Sequence, residues 1–184
     1  MAVVENDTLL AEYTVNYKKT HSQTLLPMLD EISNMTELDL STIDAIAVAG
    51  GPGSFTGLRI GSATAKGLGL ALEKPLISIP TTAAIAYNIW DTDKFVCPIM
   101  DARRNQVYTG VYCYTDHRLD TVWEQDTMSI EALAEGLNCL DHEVIFLGDG
   151  VAVYREKLEA LLTIPFSFAP AHVNRQRAAA VGAL

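Results

Sequence analysis

The chain has 184 residues, 49% of them apolar, which is enough for a hydrophobic core in one domain or in two small ones. Its formal net charge of −10 disfavours unaided nucleic-acid binding, because phosphate contacts require clustered Lys and Arg side chains. The basic residues are scattered, and their largest clusters are the pairs Lys18-Lys19 and Arg103-Arg104. The cysteine pattern favours reduced thiols in a cytoplasmic protein, and we expect neither a membrane span nor a signal peptide.

The first half of the chain predicts an alternation of strands and helices. Apolar runs, turn residues and helical spacing give strands at 1–5 and 8–16, a helix at 22–35, a strand at 44–49, a helix at 54–72, a strand at 76–79 and a helix at 81–90. The strand at 44–49 is almost entirely apolar, which is typical of a central strand buried on both faces.

The second half repeats this order. It predicts strands at 95–101, 107–114 and 120–128, a helix at 129–137, a strand at 143–148 and a helix at 151–162. The repetition indicates an α/β protein made of two related halves, residues 1–91 and 92–184. The first half opens with two strands and the second with three, so we expect that a first strand is missing.

A glycine-rich turn joins the strand at 44–49 to the following helix. Its residues are Gly50, Gly51, Pro52, Gly53, Ser54 and Thr56. Such turns often hold phosphates, but the Lys of a Walker loop is absent and the dinucleotide fingerprint fails at Thr56. The alternative is a turn that requires glycine for its backbone, with Ser54 capping the helix.

The helix at 54–72 contains small residues at every fourth position. Gly57, Gly61, Ala65 and Gly69 form one series, and Ala63, Gly67 and Ala71 form a second. Residues four apart share a helix face, and glycine in a helix costs about 1 kcal/mol relative to Ala. Close approach of another backbone would explain that cost. The sequence leaves open whether the neighbour is the chain's own sheet or a helix of another chain.

No catalytic or metal site can be assembled from the remaining residues. The four histidines lack the i, i+3 or i, i+4 spacing of paired ligands, and Asp44, Asp101 and Asp149 have no evident nucleophile or base beside them. We therefore expect no catalytic residues, no metal and no cofactor.

Several motifs resemble the TsaB family of tRNA threonylcarbamoyladenosine biosynthesis proteins, also called YeaZ-like and related to glycoproteases. The most specific is the run from Gly50 to Gly61, which reads GGPGSFTGLRIG. Further similarities are the run from His21 to Pro27, the run DARRNQVY from Asp101 to Tyr108, and Gly148-Asp149-Gly150. Together these motifs cover nearly the whole chain.

The resemblance implies an actin-like ATPase (ASKHA) fold of two RNase H-like halves. It also implies a non-catalytic subunit that pairs with TsaD, the catalytic paralogue that modifies the adenosine next to the tRNA anticodon. An ATPase, TsaE, would join the pair, and the chain alone would form homodimers. Contact with tRNA would be indirect, through the complex. The family usually has a further first strand and a longer C-terminus, so the resemblance implies a shortened chain.

The resemblance also places the partner interface on the first two helices. The residues expected there are His21, Leu25, Met28, Leu29, Ile32, Gly57, Arg59, Ile60, Gly61, Ala63, Thr64, Lys66 and Gly67. TsaD carries a metal-binding HxxxH on its first helix, whereas here the second histidine position holds Leu25. Two alternatives stay open: a metallopeptidase-like or ATP-using enzyme of the same fold, and a regulator that binds nucleotide at the glycine-rich turn.

Overall fold

The computed structural model describes residues 1–16 and 21–184. The chain divides into two compact units: unit 1 comprises Met1–Thr81 and Arg177–Leu184, and unit 2 comprises Thr82–Gln176. Both boundaries differ from the predicted halves 1–91 and 92–184. Residues after Thr81 join unit 2 because Ile85 and Ala86 are buried in its core. The C-terminal residues join unit 1 because the Glu12 carboxylate binds Arg177 and the Ala179 N–H.

The elements follow the predicted order closely. In chain order they are β1 (Ala2–Glu5), β2 (Thr8–Glu12), α1 (His21–Thr36), β3 (Ile46–Gly51), α2 (Phe55–Leu72), β4 (Leu76–Pro80), α3 (Thr81–Ala86), β5 (Phe95–Arg103), β6 (Gln106–Thr115), β7 (Arg118–Ser129), α4 (Ile130–Leu140), β8 (Val144–Leu147), α5 (Val151–Leu161), β9 (Phe166–Phe168) and α6 (Ala178–Ala183). The predicted strand 8–16 and helix 81–90 are too long, and β9 was not predicted.

Unit 1 contains two separate pairs of strands. β1 and β2 pair antiparallel, whereas β3 and β4 pair in parallel, with α2 as the connection between them. Helices α1 and α2 contact each other, and α2 packs on β3. Helix α6 contacts both β1 and β3, so it bridges the two pairs of strands. Among the described residues of this unit, the buried apolar side chains are those of Ile32, Ala65 and Ala180.

Unit 2 contains one continuous sheet of five strands in the order β7-β6-β5-β8-β9. Strand β5 is antiparallel to β6 and parallel to β8. Alternate residues of β5 face two hydrophobic clusters: Cys97 and Ile99 pack with α4 and α5, whereas Val96 and Met100 pack with α3. The central strand is therefore buried on both faces, as an apolar strand inside an α/β unit should be.

Candidate partner interface

Helix α1 turns most of its predicted interface residues inward. Leu25, Met28 and Leu29 are half-buried. Ile32 is only 3% exposed and lies in the core, so it is removed from the candidate surface. The helix begins at His21, whose side chain lies outside the described part of the structure. The large apolar side chains that the described part of α1 exposes are instead Leu26 and Met35, at 56% and 78%, and the sequence analysis did not select them.

Helix α2 exposes the second of its two series of small residues. Ala63, Gly67 and Ala71 are all exposed, and the exposed Arg59 and Lys66 lie on the same side. Two large apolar side chains, Phe55 and Leu70, extend this surface to both ends of the helix, with exposures of 72% and 83%. The guanidinium carbon of Arg59 lies 4.6 Å from the Phe55 ring centroid, which is within cation–π range. We use the name α1–α2 surface for the following exposed residues: Leu26 and Met35 of α1, and Phe55, Arg59, Ala63, Lys66, Gly67, Leu70 and Ala71 of α2.

The last two members of the first series of small residues pack inside unit 1. Ala65 and Gly69 are buried, and a Cβ on Gly69 would lie 3.1 Å from the Lys74 carbonyl oxygen. The remaining predicted positions Gly57, Ile60, Gly61 and Thr64 are half-buried. The sequence left open whether the small residues of α2 face the chain's own sheet or another chain, and the two series differ in this respect. One series lets the helix approach its own sheet, and the other is left facing outward.

The glycine-rich turn uses its polar groups internally. Ser54 Oγ accepts a hydrogen bond from the Gly57 N–H at 3.5 Å, which is the predicted helix cap. The Gly51 N–H donates to Thr81 Oγ1 at 3.2 Å. Gly51 has a φ of +116°, and a Cβ on Gly50 would lie 2.1 Å from Ser78 Oγ. The glycines are therefore explained by backbone conformation and close packing.

Three acidic side chains and one histidine of unit 2 also have structural partners. Asp149 Oδ1 accepts from the Asp101 N–H at 3.4 Å, and Asp101 Oδ1 accepts from the Tyr154 hydroxyl at 3.2 Å. His117 Nδ1 lies 2.6 Å from Asp91 Oδ2. In the described part of the chain, no group of three or more His, Cys, Asp or Glu side chains is arranged to hold a metal ion.

The comparisons with known proteins agree with the motifs. The TsaB protein of Bacillus subtilis, a tRNA threonylcarbamoyladenosine biosynthesis protein, is 35% identical over 162 residues, which are 88% of this chain and 71% of that relative. This chain belongs to the TsaB family. A second TsaB protein, from Haemophilus influenzae, is 33% identical over 155 residues, which are 79% of this chain and 65% of the relative. The family model of TsaD, tRNA N6-adenosine threonylcarbamoyltransferase, matches residues 8–184.

The fold agrees as well. The solved structure of YeaZ from Pseudomonas aeruginosa superimposes with a TM-score of 0.78 at 26% identity, covering 95% of this chain and 80% of that one. This confirms the expected TsaB-like, actin-like ATPase fold. The alternative of a metallopeptidase-like or ATP-using enzyme is not favoured by these relatives. Across the described residues, no helix is both long enough and apolar enough to cross a membrane.

Proposed function

We propose that this chain acts in tRNA threonylcarbamoyladenosine biosynthesis as a non-catalytic subunit that pairs with TsaD through the α1–α2 surface. Membership of the TsaB family supports the pathway, since the curated relatives carry that name. The proposed location of the interface is supported mainly by four exposed apolar side chains on two neighbouring helices: Leu26, Met35, Phe55 and Leu70. We take the exposure of these four large apolar side chains on two packed helices as the mark of a protein–protein contact.

The energetics of these residues fit an association site. Burying one Leu, Phe or Met side chain completely contributes about 1.5–3 kcal/mol, and here four such side chains are available. Association costs about 4–15 kcal/mol of translational and rotational freedom, so these anchors must be buried together with their surroundings. Phe55 and Leu70 lie at opposite ends of α2, and therefore a partner helix would lie along most of its length.

Small residues between the anchors would let a partner helix approach closely. Ala63, Gly67 and Ala71 project little beyond the helix backbone, and a Cβ on Gly67 would meet no atom within 4 Å. Helices separated by about 8–10 Å interlock through side chains of suitable size, and small residues favour the short end of that range. The α1–α2 surface therefore combines large anchors at its ends with a shallow middle.

The charge of the chain bears on which subunit holds the tRNA. A chain of net charge −10 is unsuited to hold tRNA unaided, so the tRNA is held chiefly by TsaD. TsaE, an ATPase, is the expected third component, and the same surface would serve a homodimer when TsaD is absent. We also propose that the complex acts in the cytoplasm.

The test is assembly with TsaD of the same organism, followed by light scattering after gel filtration. We expect a one-to-one complex that incorporates one 20.0 kDa copy of this chain. Leu70→Glu should weaken it by about tenfold or more, because a carboxylate cannot be buried unpaired at an apolar contact. Val153→Glu is the matched control, since Val153 is 60% exposed on α5 of unit 2.

The outcomes separate clearly. If Leu70→Glu is folded and binds TsaD as tightly as the wild type, the α1–α2 surface is not the interface. If the wild-type chain forms no complex at all, the proposed subunit role fails. A homodimer of the isolated chain that disappears as TsaD is added, and that Leu70→Glu also abolishes, would indicate that both assemblies share this surface.

A further inference from the structure

The hairpin between β5 and β6 has an unusual residue at its tip. Arg103 pairs with Gln106, which leaves the two-residue loop Arg104-Asn105. Both loop residues have positive φ angles, 52° and 62°, as in a type I′ turn. That turn favours Asn, Asp or Gly at its first central position, because these residues tolerate positive φ. Here the first central residue is an arginine.

Two other two-residue hairpin loops show which residues this chain otherwise places at positive φ. The β1–β2 loop, Asn6-Asp7, has Asn6 at a φ of 51°. The β6–β7 loop, Asp116-His117, has φ values of 50° and 63°. Asn, Asp and His are the non-glycine residues enriched at positive φ. Arg104 is therefore the exception among three loops of equal length in one chain.

Arg103, the residue before the loop, also has a backbone conformation that is unusual for arginine. The register of β5 against β6 shifts between Asp101 and Arg103, so β5 carries one extra residue and forms a β-bulge. Arg103 lies at this bulge with a φ of 69°, in the left-handed region where glycine is usual. Two successive arginines thus occupy backbone conformations that strain any such side chain.

Surrounding contacts hold the strained turn in place. Asn105 Nδ2 donates to Glu131 at 2.9 Å, and Lys157 Nζ donates to Asn105 Oδ1 at 2.7 Å. Lys157 also forms an ion pair with Glu131, and its hydrogen bond lowers the pKa of that carboxyl. On the inner side, the Arg103 N–H donates to Asp101 Oδ1 at 2.9 Å. The turn is therefore tied to α4, to α5 and to its own strand.

None of these contacts uses a guanidinium group. Both arginine side chains are exposed, and neither has a hydrogen-bond or ion-pair partner among the residues that the structure describes. By contrast, Arg155 pairs with Glu159, and Arg177 pairs with Glu12. A rigid turn thus presents two adjacent unpaired cations on a chain whose net charge is −10. Bulges commonly re-aim side chains beside functional sites.

We propose that Arg103 and Arg104 bind phosphate groups of the tRNA backbone in the assembled complex. The inference rests on the proposed function, because that function brings a polyanion to this chain. The guanidinium fork binds phosphate through paired, charge-assisted hydrogen bonds. Two such contacts cannot hold tRNA against the charge of the whole chain, so they add to binding by the partner. This goes beyond the expectation of purely indirect contact.

The test measures tRNA binding by the complex with TsaD at several salt concentrations. Each phosphate contact contributes about 0.7–0.9 to the slope of log affinity against log salt. The double variant Arg103→Gln/Arg104→Gln should make that slope shallower by about 1.4–1.8. Arg118→Gln is the matched control, since Arg118 is also exposed and lies at the other hairpin of β6. Its slope should stay close to that of the wild type.

A second variant separates charge from turn geometry. Arg104→Asn should raise the Tm of the isolated chain, because Asn suits positive φ, while making the salt slope of the complex shallower by about 0.7–0.9. An unchanged slope, a slope change matched by Arg118→Gln, or a lower Tm for Arg104→Asn would each overturn the inference. Loss of assembly with TsaD in the double variant would assign the arginines to a protein contact. If the wild-type chain does not assemble with TsaD, the proposed function itself fails, and this result is obtained before any tRNA is added.

Discussion

Each unit contains an antiparallel pair of strands and a parallel pair, but the two units connect these pairs differently. In unit 2, the antiparallel strands β6 and β7 and the parallel strands β8 and β9 lie on opposite sides of β5. Unit 1 has an antiparallel pair, β1–β2, and a parallel pair, β3–β4. Within the described residues, no strand hydrogen-bonds to both pairs. Among the described residues of unit 1, no strand therefore corresponds to β5 of unit 2.

This difference changes how deeply similar sequences are buried. Val96 to Met100 of β5 are all buried, whereas Ile46 to Ala49 of β3 are half-buried although they are equally apolar. On β4, Leu76 and Ile77 are 40% and 48% exposed. An apolar run thus predicts a strand, but the depth of its burial depends on the neighbours that cover it. Among the described residues, β1 and β3 each pair with one other strand only.

The largest expected effect is a direct test of this contrast. Val144 on β8 is fully buried, whereas Val48 on β3 is half-buried. Val144→Ala should cost about 2–3 kcal/mol, from about 0.8 kcal/mol per buried methylene equivalent plus a cavity contribution. Val48→Ala should cost about half as much, because water already reaches its side chain. Amide hydrogen exchange of β8 and of β3 in each full-length variant measures the two losses separately.

Equal losses would show that unit 1 is packed as firmly as unit 2, despite the separation of its strand pairs. Wild-type exchange gives an independent check on the same point. Amides of β5 should be protected more strongly than those of β1 and β3, because the central strand is paired on both sides and buried on both faces. Comparable protection in all three strands would remove the contrast between the units.

An intermediate effect concerns the contact that returns the C-terminus to unit 1. Burial raises the pKa of Glu12, but hydrogen bonds from Arg177 and the Ala179 N–H, with the charge of Arg177, outweigh it and hold that pKa below its usual value. Glu12→Gln should lower stability by about 1.5–3 kcal/mol, as expected for hydrogen bonds to a charged group. Denaturant unfolding at neutral pH measures this loss of stability. Amide hydrogen exchange should show that α6 loses its protection first.

The pH dependence of this contact has a defined sign. Because the folded pKa of Glu12 lies below the unfolded value of 4.5, its contribution is fully present above that value. It is lost as the pH falls from there through the folded pKa. Glu12→Gln should therefore flatten this part of the stability profile. Glu159→Gln is the control, since its exposed pair with Arg155 at 3.9 Å should contribute no more than about 0.5 kcal/mol. An identical flattening in the control would dismiss the assignment.

The sequence predicted the alternation of elements well because apolar spacing and turn residues are local signals. The cap at Ser54 and the repeated order of strands and helices were both found in this way. Strand β9 was missed because Phe166–Phe168 is too short for a periodic pattern. The two compact units also differ from the predicted halves, because the pairing of Glu12 with Arg177 joins residues far apart in the chain.

The exposed faces of α1 and α2 were predicted only in part for a similar reason. Helical spacing gave the two series of small residues on α2, but it could not determine which series faces the sheet. The same ambiguity selected Ile32, which is buried, and omitted Leu26 and Met35, which are exposed. The arginine turn was visible in the sequence only as a pair of basic residues, because positive φ at Arg103 and Arg104 depends on the hairpin register.

The smallest expected effect contrasts the two series on α2. Gly67→Ala should stabilise the isolated chain by about 0.5–1 kcal/mol, since Ala is the better helix former and its Cβ would meet no atom within 4 Å. Gly69→Ala should not stabilise it, because the added Cβ would lie 2.9 Å from Leu76 Cδ2 and 3.1 Å from the Lys74 carbonyl oxygen. Thermal unfolding of both variants measures this difference directly. If the outward series also contacts TsaD, Gly67→Ala should raise the Tm of the free chain while weakening the complex. If Gly67→Ala instead raised both the Tm of the free chain and the affinity for TsaD, Gly67 would matter only for the free helix. The close contact would then lie elsewhere on the α1–α2 surface.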